Sequence, residues 1–384
     1  MAYEFSIAGK VISGASALKA GAAAMKSFGK KALIVSGPNN VKLGNVEKLT
    51  IQLQKAGITY HIYDGVADEP TDRMVEEGAG IYQAEQCDFF IAIGGGSPMD
   101  AMKAIAVMVV SKKKAASFMG VSMDFPLPKM AAIPTTAGTG SETTQFTIIT
   151  DLENKIKMLL KGPSLVPELV ILDSTLTMTA PAAVTAAAGM DALTHAAEAY
   201  ISQKAQPLTD TFAISAVKRI FQYLPISFLE PQNKTAKEEM ALAAFEAGIT
   251  INNSSVTLVH GMSRPIGALF HVPHGMSNAM LLDVCFSFML EEAQARFADL
   301  GRAVNVTLIK ASDREAAEGF INDVRNLCKI CRIPTLKQYG INQREYELSI
   351  EKMSKDALAS GSPQNFSPVI SKEDVMEIYR KLWK

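Results

Sequence analysis

From Lys30 to Thr136 the apolar positions keep switching between two periods. KKALIVSG (Lys30–Gly37) is a short β-branched run ending in Gly-Pro, as a strand leading into a turn does. Asn45–Ala56 follows with helical spacing, and TYHIYDGV (Thr59–Val66) reads as the next strand. Thr71–Gln86 predicts a helix opened by Pro70-Thr71, and DFFIAIGGG (Asp88–Gly96) a strand running into glycines. Pro98–Val110 predicts a helix with proline at its start, where the missing N–H costs nothing. MAAIPTT (Met130–Thr136) is another strand. Strands and helices alternating this closely need crossover connections, so the expected sheet is parallel and Rossmann-like.

After Asp173 the texture changes to Ala, Leu, Met and Glu, with no further alternation of strands. Pro181–Lys384 is expected to be all-helical, with the boundary in STLTMTAP (Ser174–Pro181) and Thr177 or Thr179 capping the helix that Pro181 begins. The expected organisation is an α/β domain over residues 1–180 and an all-α domain over residues 181–384.

Composition narrows the function. A chain of 384 residues can bury two cores, and a net charge of −1 with 48% apolar residues fits a soluble globular protein. Neither sign of charge dominates, which argues against a nucleic-acid or anionic-membrane partner. No apolar run approaches the roughly 20 residues a membrane helix needs. MAYEFSIAGKVISG lacks the basic start and long apolar core of a signal peptide, so a cytoplasmic location is expected. Four scattered cysteines make no disulfide framework; Cys328 and Cys331 form a CxxC with no second pair and read as buried or half-buried thiols.

The candidate chemistry lies between Gly189 and Gly275, where three of the five histidines fall beside Asp191. Asp191 and His195 are four apart in an Ala-rich segment, so both project from one helix face. His260, in VHGM, and His274, in PHG, would complete a site of three nitrogens and one oxygen. That set suits Fe, Zn, Co or Ni better than Mg or Ca, which prefer oxygen shells. Any one of these residues alone is as well read as an ordinary cap or polar side chain; the four together point to metal. In the N-terminal half, a strand ending in Gly94-Gly95-Gly96-Ser97 and opening a helix is a phosphate cradle, and Thr135, Thr136 and Thr139 with their glycines make a second loop of hydroxyls and bare backbone.

GMDALTHAAEAY (Gly189–Tyr200), the VHGM and PHG histidines, GGGSPMD (Gly94–Asp100) and PTTAGTGSE (Pro134–Glu142) together resemble the iron-containing (group III) alcohol dehydrogenases, in that family's order and across nearly the whole chain. The resemblance implies an NAD(P)-linked alcohol dehydrogenase or aldehyde reductase with Fe(II), Zn remaining chemically admissible, on the fold shared with dehydroquinate synthases. It implies that Asp191, His195, His260 and His274 are metal ligands. Gly95, Gly96, Ser97, Thr135, Thr136 and Thr139 would contact the cofactor, and Lys157 would lie near it. It also implies at least a homodimer.

Two departures bear on specificity. NAD-preferring members carry Asp after the first strand, where this chain has Gly37, so tolerance of both NAD and NADP is expected. Where members commonly have a histidine four residues after the VHGM ligand, this chain reads VHGMSRPIG. If the helix continues, Arg264 lies one turn from His260, and its guanidinium suits an anionic short aldehyde such as sulfoacetaldehyde or a semialdehyde. Pro265 could instead end the helix and turn Arg264 away. His271 is the remaining histidine near the site, a candidate proton relay or a structural hydrogen-bonder. The alternatives are a reductase of neutral short-chain aldehydes or diols, a glycerol-type polyol dehydrogenase, a metal-dependent lyase or cyclase, and a nucleotide-binding protein without turnover.

Overall fold

The computed structural model describes residues 2–154 and 156–383, so the ends of the ranges expected from sequence, Met1 and Lys384, lie outside it. The chain divides into two compact units, Ser6–Ala180 and Pro181 onward, the latter including the N-terminal residues up to Phe5.

Among its described residues Ser6–Ala180 contains eight strands: β1 Lys10–Ser13, β2 Lys31–Val35, β3 Thr59–Tyr63, β4 Phe89–Gly94, β5 Met130–Pro134, β6 Phe146–Asp151, β7 Ile156–Lys161 and β8 Leu169–Leu172. Six of them form one sheet in the order β1-β8-β5-β4-β2-β3, with every pairing parallel. Alternate side chains feed two cores. Leu33, Val35, Phe90, Ala92 and Ala132 pack with helices Asp72–Ala84 and Gly96–Ser111. Ala32, Ile34, Phe89, Ile91, Ile93 and Ile133 pack with helices Ala17–Met25 and Asn45–Ala56 on the other face. Burial on both faces is why these strands read as continuous apolar runs. The chain leaves β2 for β3 on one side and leaves β4 for β5 on the other. The topological switch point therefore falls between the ends of β2 and β4.

The helix expected at Thr71–Gln86 is Asp72–Ala84, with the Thr71 hydroxyl accepting from the Met74 N–H at 3.3 Å. Not foreseen were β1, β8, helix Ala17–Met25 and the antiparallel hairpin of β6 and β7. Four-residue strands such as KVIS are too short to show a period, and an Ala/Gly-rich helix such as ALKAGAAAM has little polar contrast.

The second unit is helical among its described residues. Helix Ala182–Ile201 is buried on every side from Gly189 to Ile201, so it carries no amphipathic stripe. The expected threonine cap is absent: Pro181 is the N-cap residue, without a side-chain bond. Thr177 and Thr179 donate their hydroxyls backward, to the carbonyls of Ser174 (2.9 Å) and Leu176 (2.9 Å), closing the preceding turn instead.

Candidate metal centre and cofactor loops

Asp191 and His195 stand one turn apart in helix Ala182–Ile201, His260 in the first turn of helix Leu258–Phe270, and His274 at the start of helix His274–Met289. One donor atom from each lies within 4.8 Å of all the others. Asp191 Oδ1 is 3.9 Å from His195 Nε2, 3.7 Å from His260 Nε2 and 3.8 Å from His274 Nε2. These separations are too long for hydrogen bonds. Two bonds of about 2.1 Å meeting at one ion span at most roughly 4.2 Å, and all three separations lie inside that limit. The donor set therefore fits a divalent first-row metal. Burial pushes the Asp191 carboxyl up, but His195, His274 and His260, with the Asn278 amide, outweigh it and hold the group below its usual range. Burial, with His195 and His274 alongside, drives His260 well below its ordinary value. Asp191 thus presents a carboxylate and His260 a neutral imidazole, the forms that bind a cation.

Small residues bring the elements together. A Cβ on Gly275 would sit 2.6 Å from the Ala187 carbonyl oxygen and 3.2 Å from Asp191 Cβ, so only glycine lets His274 start its helix here. A Cβ on Gly189 would sit 2.3 Å from a methyl of Leu224, in helix Pro207–Leu229.

Glu198, overlooked in the sequence although it lies one turn beyond His195, is fully buried beneath the site. It accepts from Thr257 Oγ1 (2.6 Å) and the Val259 N–H (2.6 Å), capping helix Leu258–Phe270, and it lies 2.6 Å from His260 Nδ1. Burial raises its carboxyl, opposed by these hydrogen bonds. A carboxylate at Nδ1 fixes the tautomer that aims Nε2 at the metal position. His195 has no such partner, its Nδ1 being buried and unbonded.

The cofactor loops are built differently. The parallel register sets Gly94 opposite Pro134, so the GGGS and TTAGT loops leave adjacent strand ends. A Cβ on Gly95 would lie 3.5 Å from Thr136 Oγ1, and one on Gly96 would lie 3.2 Å from Thr139 Cγ2. Helix Gly96–Ser111 begins at Gly95 with no side-chain cap, leaving the first N–H groups, including that of half-buried Ser97, free to bind a diphosphate. Thr135 is buried, its N–H donating to the Gly94 carbonyl at 2.8 Å. Gly37 follows β2 across the switch point, and a Cβ there would come within 2.4 Å of the Val66 carbonyl oxygen. Lys157 is exposed on the β6–β7 hairpin, paired with Glu69 at 2.7 Å.

Beneath the loops, Lys103 is fully buried and donates to the carbonyls of Ser141 (2.7 Å), Thr144 (2.8 Å) and Phe146 (3.1 Å). Burial brings it down to about 8, and pushes the nearby Asp100 and Glu142 carboxyls up to about 6 and about 7. All three lie in or beside the two Gly-rich motifs, but nothing local in the sequence marks them as buried together.

Residues 8–174 match the iron-containing alcohol dehydrogenase family, and residues 185–383 match the C-terminal part of the Fe-containing alcohol dehydrogenase family. The chain belongs to this family. It is 35% identical to the 1,3-propanediol dehydrogenase of Klebsiella pneumoniae over 357 residues, 92% of this chain and 91% of that protein. A solved 1,3-propanediol oxidoreductase superposes with a TM-score of 0.96 at 33% identity, covering 100% of both chains. The sulfoacetaldehyde reductase of Bifidobacterium kashiwanohense in complex with NAD+ superposes at 0.88 with 25% identity, covering 100% of this chain and 99% of that one. The iron-containing alcohol dehydrogenases are oxidoreductases acting on CH–OH, and this chain is one.

In this dehydrogenase, helix Leu258–Phe270 runs through Pro265 without a break, so Arg264 stays one turn from His260. Arg264 has no hydrogen bond or ion pair among the described residues; burial lowers its pKa and the Glu198 carboxylate opposes that shift. His271 is the exposed left-handed C-cap of the same helix (φ 54°) and is not among the four clustered donors. Cys331 is buried and Cys328 half-buried, both free, their thiols pushed up to about 12 by burial.

Proposed function

We propose that this enzyme is a metal-dependent, NAD(P)-linked reductase of a short anionic aldehyde, running as an alcohol dehydrogenase in reverse. The observation that carries the metal chemistry is the convergence of Asp191, His195, His260 and His274. When bound, Fe(II) or Zn supplies a Lewis acid for the carbonyl oxygen and the nicotinamide supplies the hydride. The chain's own residues orient these groups. Glu198 holds His260, the start of helix Gly96–Ser111 takes the diphosphate, and Thr135, Thr136 and Thr139 line the neighbouring loop. Lys157 is assigned to the outer rim of the cofactor site, exchanging Glu69 for the cofactor, and His271 to the surface end of a proton path. Gly37 leaves no carboxylate to repel a 2′-phosphate, so NADP and NAD are both accepted. We also infer a homodimer or larger homo-oligomer and a cytoplasmic location; a monomer mass by light scattering at micromolar concentration contradicts the first.

The substrate assignment rests on Arg264. An unpaired, half-buried guanidinium one turn from a metal ligand is placed to take a carboxylate or sulfonate. A solved relative of this fold is a sulfoacetaldehyde reductase. The second reading, a neutral short aldehyde or diol, draws on the identity to a 1,3-propanediol dehydrogenase. Comparing kcat/KM for anionic and neutral aldehydes of equal length in wild type and Arg264→Ala separates the two. A lost charge-assisted contact of ~1.5–3 kcal/mol lowers the anionic substrate by roughly ten- to more than a hundredfold and leaves the neutral one unchanged. Equal losses on both remove Arg264 from substrate recognition. Oxidation of NADH or NADPH with the same aldehydes, before and after chelation, tests the metal requirement; turnover that survives full chelation contradicts it.

A further inference from the structure

Asn278, four residues after His274, is fully buried, and its amide faces the metal-binding donors. Nδ2 donates to Asp191 Oδ1 at 2.7 Å and lies 3.2 Å from Nε2 of both His260 and His274. Those three atoms are three of the four clustered donors, so the amide covers the face they share, the one that excludes His195. Because Glu198 holds the Nδ1 proton of His260, the Nε2 atom there is a bare lone pair. An amide NH2 is the correct end to meet such acceptors. The other end is left over: Asn278 Oδ1 is buried and has no hydrogen-bond partner. A buried carbonyl oxygen without a donor is a standing cost.

A cation between the four donors reverses this balance. The lone pairs are then committed to metal, and NH2 hydrogens facing a positive ion are repelled. The two ends of an amide occupy nearly the same space, so half a turn about its terminal torsion exchanges them in place. We propose that Asn278 is a fifth donor, its amide turning so that Oδ1 rather than NH2 meets the bound metal. This rests on the assignment of Asp191, His195, His260 and His274 as the metal ligands. An amide oxygen is a weak donor, so it tunes coordination number and retention rather than deciding whether metal binds.

The test uses cobalt(II) added to the metal-free full-length protein, with wild type, Asn278→Leu and Asn278→Asp. Leucine fills the space with no donor and leaves no room for water; aspartate keeps an oxygen and cannot donate. Wild type and Asn278→Asp should show the weak visible bands of five-coordinate cobalt, and Asn278→Leu the intense bands of a four-coordinate ion. Transfer to a competing chelator should show affinity lowered roughly ten- to a hundredfold in Asn278→Leu and retained in Asn278→Asp. If the amide serves only as a hydrogen-bond donor to Asp191, both variants lose affinity and the bands do not change, which overturns the proposal. Identical spectra and affinities in all three overturn it as well. Failure of the wild type to take up cobalt is a separate outcome, and refutes the four-residue metal site instead.

Discussion

The metal centre and the cofactor loops are built from opposite materials. At the metal centre, four side chains from three helices converge to within 4.8 Å, and the backbone serves to place them. At the proposed cofactor loops the backbone is the candidate surface: Gly95, Gly96 and the start of helix Gly96–Ser111 carry no side-chain cap, while Lys103 beneath ties the second loop in place. A site made of side chains fails when one residue is removed. A site made of backbone resists single truncations and responds to whatever supports the loop.

The largest expected effect follows at the metal centre. His260→Ala should lower turnover by roughly a thousandfold or more, because a Lewis acid stabilises the transition state by several kcal/mol. Circular dichroism should show an intact fold. A variant with near-normal kcat would break the comparison.

Glu198→Gln comes next. It keeps the shape of the cap but weakens the hold on His260 Nδ1, so metal affinity should fall roughly ten- to a hundredfold while the cofactor KM stays unchanged. Glu198→Ala should in addition lose about 0.5–2 kcal/mol of stability through the uncapped helix start. A cofactor KM that rises in Glu198→Gln would show that the two regions are not separable in this way.

These two positions also show what sequence makes legible. Asp191 and His195 stood out because rare, reactive residues at a four-residue spacing share a helix face in any fold. Glu198 shares that face as well, but its role depends on meeting Thr257, Val259 and His260, a packing fact with no local signature. Asn278 and Gly275 are similar cases, defined by a separate helix. The parallel sheet was legible from the alternation between Lys30 and Thr136, because doubly buried strands are long apolar runs. β1, β8 and the hairpin were not: short pieces carry no period, and sheet order is set by crossovers rather than by any segment alone. The capping expectation at Thr177 and Thr179 failed because hydroxyls choose the nearest open carbonyl, here in the turn behind them.

Under the cofactor loops the expected effect is on stability alone. Burial raises Glu142 to about 7, so between its ordinary range near 4.5 and that value the folded state holds the proton more tightly than the unfolded one. Wild-type stability should therefore fall as pH rises through this window and stay lower above it. Glu142→Gln removes the titration. At pH 8 it should melt higher than wild type, by the equivalent of about 1–3 kcal/mol, and the gap should close below about pH 4.5. An equal gap at pH 4.5 and pH 8 would mean that Glu142 does not titrate as its burial requires.

Whether one transition metal sits among Asp191, His195, His260 and His274 can be measured on the protein itself. Elemental analysis by mass spectrometry of purified wild type, Asp191→Ala and His274→Ala, each checked for folding, tests it most directly. The expected result is one equivalent of iron or zinc per wild-type chain and close to none in either variant. Full occupancy in Asp191→Ala, or a wild type that binds neither metal even after reconstitution, would contradict it.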